Sequence, residues 1–290
     1  MTDSRETFAM PTQPSVLITG ATGKQGGALA RHLAGKGFQL RGMTRKPDSP
    51  AARALHDLGI MVVKGDLDDA GSLREALDDC WGVFALQNTW EAGVEREEEQ
   101  GKRLAALAHE AGVQHYVYTS VGSAHRKTGI PHFENKWRIE EKVRELGFPS
   151  HVIIRPVFFM ENLLSPWFLN GDKLVSTLTP DISLQMIASD DIGKFAARAF
   201  TDAARLSRRE IDLAGDAATL PQAAAALSQG LGRTIEYVRI AIEEVRKNSE
   251  DYALMLEWFE RVGYNADIRK LEQEFGIPTM KLQDWARQQR

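Results

Sequence analysis

Only one cysteine, Cys80, occurs in the 290 residues, so no internal disulfide and no multi-cysteine metal site can form. A lone thiol between Asp79 and Trp81 reads as a small buried group, and such sparing use of cysteine fits a reducing compartment. A cytoplasmic location is expected on that ground. The seven histidines, at 32, 56, 109, 115, 125, 132 and 151, are scattered without ligand-like spacing, so no metal is expected. No apolar run approaches the length that spans a bilayer, so no membrane association is expected. An excess of positive charge is also lacking. The 36 Lys and Arg stand against 40 Asp and Glu, a formal net charge of −4, which argues against a general nucleic-acid binder. The first fourteen residues hold no hydrophobic segment of the secretion type and are expected to form a flexible tail. What is present, 43% hydrophobic and 26% charged residues, is ordinary for a soluble globular chain. The length leaves room for one large α/β domain, or for a domain with a smaller lobe.

The most informative stretch is Val16-Leu17-Ile18-Thr19-Gly20-Ala21-Thr22-Gly23-Lys24-Gln25-Gly26. An apolar run ends in glycines at 20, 23 and 26, and an amphipathic segment follows at once. A strand that turns tightly into a helix leaves backbone N–H groups pointing outward at the positive end of the helix dipole, a ready phosphate site. Gly20 allows the tight turn, Gly23 lets the backbone approach a pyrophosphate, and Gly26 lets the helix lie close on the sheet. The spacing is GxxGxxG rather than GxGxxG, so the strand–turn–helix context carries the reading. The amides around Thr22, Lys24 and Gln25 are the expected diphosphate donors.

Beyond that turn the first half alternates. Strands are expected at Val16–Thr19, Gln39–Thr44, Met61–Gly65, Val83–Gln87, Tyr116–Ser120 and Val152–Arg155. Helices are expected between them at about 25–34, 50–58, 70–79, 95–111 and 133–146. Gly35, Gly37, Gly112 and Gly147 read as left-handed helix ends. Continuous apolar strands such as Val152-Ile153-Ile154 suit burial on both faces. The order implies a parallel sheet with right-handed crossovers, a Rossmann-type doubly wound α/β fold. After Pro156 the pattern changes. An aromatic segment, Phe158 to Leu164, leads to Pro166-Trp167-Phe168 and a polar hairpin-like stretch from Asn170 to Lys173. Ser189 or Asp190 reads as the N-cap of a further helix. Glu210–Ala214 reads as a last sheet strand, and Thr234–Ile240 as a strand outside the main sheet. The expected division is a tail (1–14), a nucleotide-binding domain (15–156 plus about 185–214), and a smaller discontinuous α+β lobe (157–184 plus 215–290). That lobe is expected to cover the C-terminal edge of the sheet, where open α/β folds bind ligands.

The residues after the second strand choose the nucleotide. An acid there accepts from a ribose 2′-hydroxyl, whereas an arginine accommodates a 2′-phosphate. Here Gly42-Met43-Thr44-Arg45-Lys46 contains no acid before Asp48. Arg45 can fork onto phosphate oxygens. The position favours NADP(H) over a merely solvated Arg-Lys pair. Asp66, in Gly65-Asp66-Leu67, either holds the adenine amine or caps the helix that follows.

Taken together, Gly20–Gly26, Thr44-Arg45, Gly65-Asp66-Leu67, His132-Phe133-Glu134-Asn135-Lys136, Arg155-Pro156 with Phe159-Met160-Glu161-Asn162, and Asp191-Ile192-Gly193 resemble the NmrA-like family. That family is an atypical branch of the short-chain dehydrogenase/reductase superfamily. The resemblance spans about residues 14 to 288. It implies a Rossmann domain binding NADP(H) and a C-terminal lobe. Some members are reductases of quinones, dyes or phenolic compounds; others bind NADP without clear turnover and act as redox sensors on partner proteins. The chain is thus expected to be an NADPH-dependent reductase of a small unsaturated, quinone-like or aromatic substrate, or alternatively a non-catalytic sensor acting through a regulatory protein partner. A homodimer is the default assembly.

The superfamily pattern places a proton-donating tyrosine four residues before a lysine. Here those positions are His132 and Lys136. His132, Lys136, Ile139, Val143 and Leu146 share one helical stripe whose lower part must face the sheet. Lys136 either holds the nicotinamide ribose hydroxyls or bends its stem out to water. His132 either donates a proton or serves as a loop or capping residue. Gln87, Thr119, Leu67, Pro156 and Phe159 are further expected cofactor contacts. Asn88, Trp90, Ser120, Phe158, Met160 and Asn162 are expected beside the substrate, with Trp167 a further candidate. An aromatic group of this kind is an apolar wall or ordinary core. Tyr116 and Tyr118, on one face of their strand, are expected to pack.

Overall fold

The computed structural model describes residues 10–289. The expected tail therefore lies, through residue 9, outside the described residues. In chain order the elements are β1 (Ser15–Ile18), α1 (Lys24–Leu33), β2 (Gln39–Thr44), α2 (Pro50–Asp57), β3 (Met61–Lys64), α3 (Ala70–Leu77), β4 (Gly82–Ala85), α4 (Thr89–Ala92), α5 (Val94–Glu110), β5 (His115–Thr119), α6 (Pro131–Leu146) and β6 (Ser150–Pro156). There follow β7 (Phe158–Phe159), β8 (Leu169–Asn170), β9 (Lys173–Ser176), β10 (Ser183–Ile187), α7 (Ser189–Thr201), α8 (Ala203–Leu206) and β11 (Arg209–Leu213). The chain closes with β12 (Asp216–Thr219), α9 (Leu220–Leu231), β13 (Glu236–Arg239), α10 (Ile242–Arg246), α11 (Glu250–Arg261), α12 (Ile268–Phe275) and α13 (Leu282–Arg287).

Two compact units emerge. The first comprises the chain up to Ser120, Arg138–Ile154 and Gly193–Ile211; the second comprises Val121–Trp137, Arg155–Ile192 and Asp212–Arg290. The main sheet has seven strands in the order β11-β6-β5-β4-β1-β2-β3. Strands β1 to β6 pair in parallel. The order reverses at β1, between β4 and β2. That is the switch point at which a doubly wound sheet leaves a crevice at its carboxyl ends.

Sequence chemistry explains the first unit. Strands β1, β4 and β5 are buried throughout. Tyr116 and Tyr118 are fully buried in the same core as Ile139 and Val143, and Tyr116 stacks on Phe148 at 4.6 Å between centroids. Burial pushes both phenols well above the usual tyrosine range. Leu146 packs on the edge of that core, so the lower stripe of α6 faces inward as expected. Cys80 is buried, and that burial raises its thiol. Gly193 lets α7 approach α1, since a Cβ there would lie 2.6 Å from the Ala28 carbonyl carbon.

The second unit holds two three-stranded sheets, β12-β10-β7 and β13-β9-β8. The stretch after Asn170 is a hairpin, with Gly171 at φ 59° and Asn170 opposite Lys173. β13 lies outside the main sheet, beside β9. One expectation fails. Helix α7 begins at Ser189, so neither Ser189 nor Asp190 precedes it as a cap. The Ser189 hydroxyl instead donates to Glu161 (2.6 Å), and Asp191 accepts from the Met280 amide (2.6 Å). Tertiary bonds have taken up the polar groups that local capping would have used.

Candidate functional site

The turn after β1 has the conformation its glycines predict. Gly20 sits at φ 63°, and its carbonyl accepts from the Gly23 amide at 2.9 Å. A Cβ at Gly26 would lie 2.4 Å from the Gly20 carbonyl oxygen, so only glycine fits this close helix–turn approach. Gly23 is the N-cap of α1, in an extended conformation with no side-chain cap, and no acid lies in the first turn. Thr22 and Lys24 are exposed, and Gln25 is half-buried. Among the described residues, therefore, no side chain caps the start of α1.

Two strand exits flank this turn in the first unit. Thr19 pins the end of β4: its hydroxyl donates to the Leu86 carbonyl (3.0 Å) and accepts from the Leu86 amide (2.7 Å). The next residue, Gln87, is 5% exposed, and neither its amide nitrogen nor its amide oxygen has a partner. At the exit of β5 the Thr119 hydroxyl donates to Gln25 Oε1 (2.8 Å), tying that strand to the glycine turn. Ser120 is buried and its hydroxyl is also unpaired. Buried polar groups are nearly always hydrogen-bonded, so an orphaned amide and hydroxyl at a sheet's carboxyl edge fit a ligand that supplies the missing partners.

Other expected contacts in this unit are differently engaged. Arg45, just past β2, is ion-paired with Glu91. Asp66 accepts from the Asp68 amide (3.0 Å), while the cap of α3 is Asp69, accepting from Gly71 (2.9 Å). Asp68 in turn is bound by Arg96 and Gln100, and the Arg96 guanidinium holds its carboxyl below the usual range. Leu67 packs against the core, and its carbonyl accepts from Arg103. Asn88 caps α4, accepting from the Trp90 amide, and the Trp90 ring is exposed.

In the second unit His132 and Lys136 lie one turn apart at the start of α6. His132 is buried, and its Nδ1 lies 2.7 Å from Asp251 Oδ1, a residue in the first turn of α11. A carboxylate accepts only, so Nδ1–H donates and Nε2 is the nitrogen that Asp251 does not hold. Lys136 is half-buried. Pro156 ends β6, and its carbonyl accepts from Gly122 (2.8 Å). Phe159 is half-buried, and Asn162 uses its carbonyl on Ser165. Phe158 and Met160 do not form an exposed wall. Phe158 packs edge-on against Phe168 and Phe259, and Met160 is fully buried in the same core. Trp167 is exposed and tilted on Tyr252. Sequence reading missed Glu91 and Asp251, which lie 46 and 119 residues from their partners with no local signal. Among the described residues no group of three His, Cys, Asp or Glu could hold a metal, and no helix is long and apolar enough to cross a membrane.

A glycine-cradled helix start at the switch point of a parallel sheet defines a Rossmann-type nucleotide-binding fold. The model of the NmrA-like family matches residues 12–288, and the chain belongs to that family. One relative is the NmrA-like family domain-containing oxidoreductase FrzB of Cladobotryum sp, 35% identical over 161 residues, or 52% of this chain and 48% of FrzB. The chain spans about half the length of the first curated relatives it matches. The NADPH-dependent quinone oxidoreductase QOR2 of Escherichia coli, crystallised with NADPH, is 25% identical with a TM-score of 0.76, covering 93% of this chain and 98% of that one. NmrA, a negative transcriptional regulator crystallised with NADP, shares the fold at 20% identity and a TM-score of 0.78, covering 96% of each chain.

Proposed function

We propose that this chain is a cytoplasmic NADPH-dependent reductase of a small unsaturated, quinone-like or aromatic acceptor. The observation that carries the reading is the buried Gln87 amide, unpaired at both ends, beside a glycine turn that no side chain caps among the described residues. The amides of Thr22 to Gly26 would hold the diphosphate, Arg45 would take the 2′-phosphate, and Asp66 and Leu67 would border the adenine. Gln87, Thr119 and Ser120 meet the nicotinamide half, with Pro156 and Phe159 as further contacts. QOR2, whose NADPH complex is known, supports the pairing of this family with reduced NADP and quinone chemistry.

Bound NADPH supplies the hydride; the protein supplies position and the proton. Lys136 binds the nicotinamide ribose hydroxyls. His132, held through Nδ1 by Asp251, presents Nε2 as the atom that gives a proton to the reduced acceptor. With a hydride from the cofactor, this proton would balance a two-electron reduction of the acceptor.

Mixing the protein with NADPH and a panel of quinones, and following loss of the reduced cofactor's absorbance, tests the reading. Turnover is expected, and Lys136→Ala is expected to abolish it. The histidine in place of the superfamily's tyrosine favours a second reading, a sensor acting through a protein partner. Tight NADPH binding with no turnover on any acceptor would overturn the reductase and support the sensor.

A further inference from the structure

Arg45 does not stand open. Its guanidinium is hydrogen-bonded to the Glu91 carboxylate, with side chains 58% and 54% exposed. The two residues come from segments leaving different strands. Arg45 follows β2 directly, and Glu91 lies on α4, beyond β4. In the sheet β4 and β2 flank β1, and all three run parallel. Both segments therefore leave the same edge, one on each side of the Gly20–Gly26 turn, and the ion pair straps across the exit of β1. The Glu91 side is anchored. Asn88 caps α4, and the Thr89 hydroxyl donates to the fully buried Glu97 carboxylate.

We propose that Glu91 is a resident competitor for Arg45, so that it sets how strongly the chain prefers NADPH over NADH. The inference rests on the reading of Arg45 given under the proposed function. A guanidinium fork grips one carboxylate or one phosphate at a time in its bidentate geometry. A 2′-phosphate must displace Glu91 before Arg45 can take it. NADH carries no such group, makes no claim on Arg45, and binds with the strap closed. An exposed ion pair is weak, so the competition amounts to a few-fold and not to orders of magnitude.

Calorimetric titration of NADPH and NADH into the wild type, Glu91→Gln, Arg45→Ala and the double variant tests this at low salt. Glu91→Gln is expected to tighten NADPH about two- to fivefold and leave NADH unchanged. In the Arg45→Ala background the same change is expected to do nothing, and high salt is expected to shrink the gain. An unchanged NADPH-to-NADH ratio in Glu91→Gln, with a collapsed ratio in Arg45→Ala, would overturn the competitor and leave the phosphate reading standing. A gain that persists without Arg45 would also overturn it, since Glu91 would then act by general repulsion. A ratio untouched by Arg45→Ala would remove both the reading and the inference.

Discussion

Both units bury unpaired polar atoms, and what differs is their setting. At the strand exits of the first unit, Gln87 and Ser120 are buried with side-chain atoms left unpaired, beside a helix start that carries no cap. In the second unit several groups hold one another, His132 with Asp251, Glu161 Oε1 with Ser189 and Asp191 with Met280, while Glu161 Oε2 and Ser176 Oγ are buried without a partner. An unmade bond in a buried site costs stability, so the orphaned Gln87 and Ser120 at the strand exits fit a ligand that would complete them. Long-range bonds tie segments of the second unit together, and one of them positions His132.

The comparison can be broken most decisively at the glycine turn. Gly26→Ala places a methyl 2.4 Å from the Gly20 oxygen and 2.9 Å from the Ala21 nitrogen, both backbone atoms. NADPH affinity by calorimetry is expected to fall about a hundredfold, because the phosphate-facing amides must shift. Unchanged affinity would deny the turn its role. The next effect lies in the second unit. Asp191→Ala leaves the Met280 amide without its acceptor, and urea unfolding should show a loss of about 1–3 kcal/mol.

Acid acts on the two units with the same sign but in different windows. Burial holds His115 neutral, with its pKa lowered to about 3, while Glu272 in the second unit is lowered to about 2, chiefly by the Thr279 hydroxyl. His151 is likewise lowered by burial. Between about pH 6.5 and 4.5 the unfolded chain takes up protons on these histidines that the folded chain refuses. Stability therefore falls as pH drops, by about 1.4 kcal/mol per unit for His115 alone. The Glu272 contribution is lost only below about pH 4.5, the ordinary glutamate range. Urea melts over this range should show the earlier loss, with hydrogen exchange rising first in the first unit, and His115→Gln should flatten the slope. The smallest effect is the most discriminating. Gln87→Leu is expected to leave urea stability unchanged or slightly raised, since an orphaned amide is removed, yet to weaken NADPH about two- to tenfold. A destabilised variant with native affinity would reverse the contrast between the units.

Much of the first unit was legible because its signals are local. The glycines, the apolar strands and the α6 stripe each report through spacing of a few residues, and β2 ends at Thr44 as expected. The place of Arg45 directly after β2 was legible, but its ion-pair partner was not, because Glu91 arrives from another strand exit. In the second unit the informative contacts are non-local. Asp251 reaches His132 across 119 residues, and Phe158 and Met160 join a core assembled from widely separated segments. An aromatic run reads the same in sequence whether it will line a cleft or fill an interior. The register of β7 beside β10 decides it here.

One titration bears most directly on all of this. NADPH added to the purified chain in a calorimeter is expected to bind at one site with measurable heat, and Arg45→Ala is expected to lower that affinity while leaving NADH untouched. A flat titration with both nucleotides would contradict the account at its root.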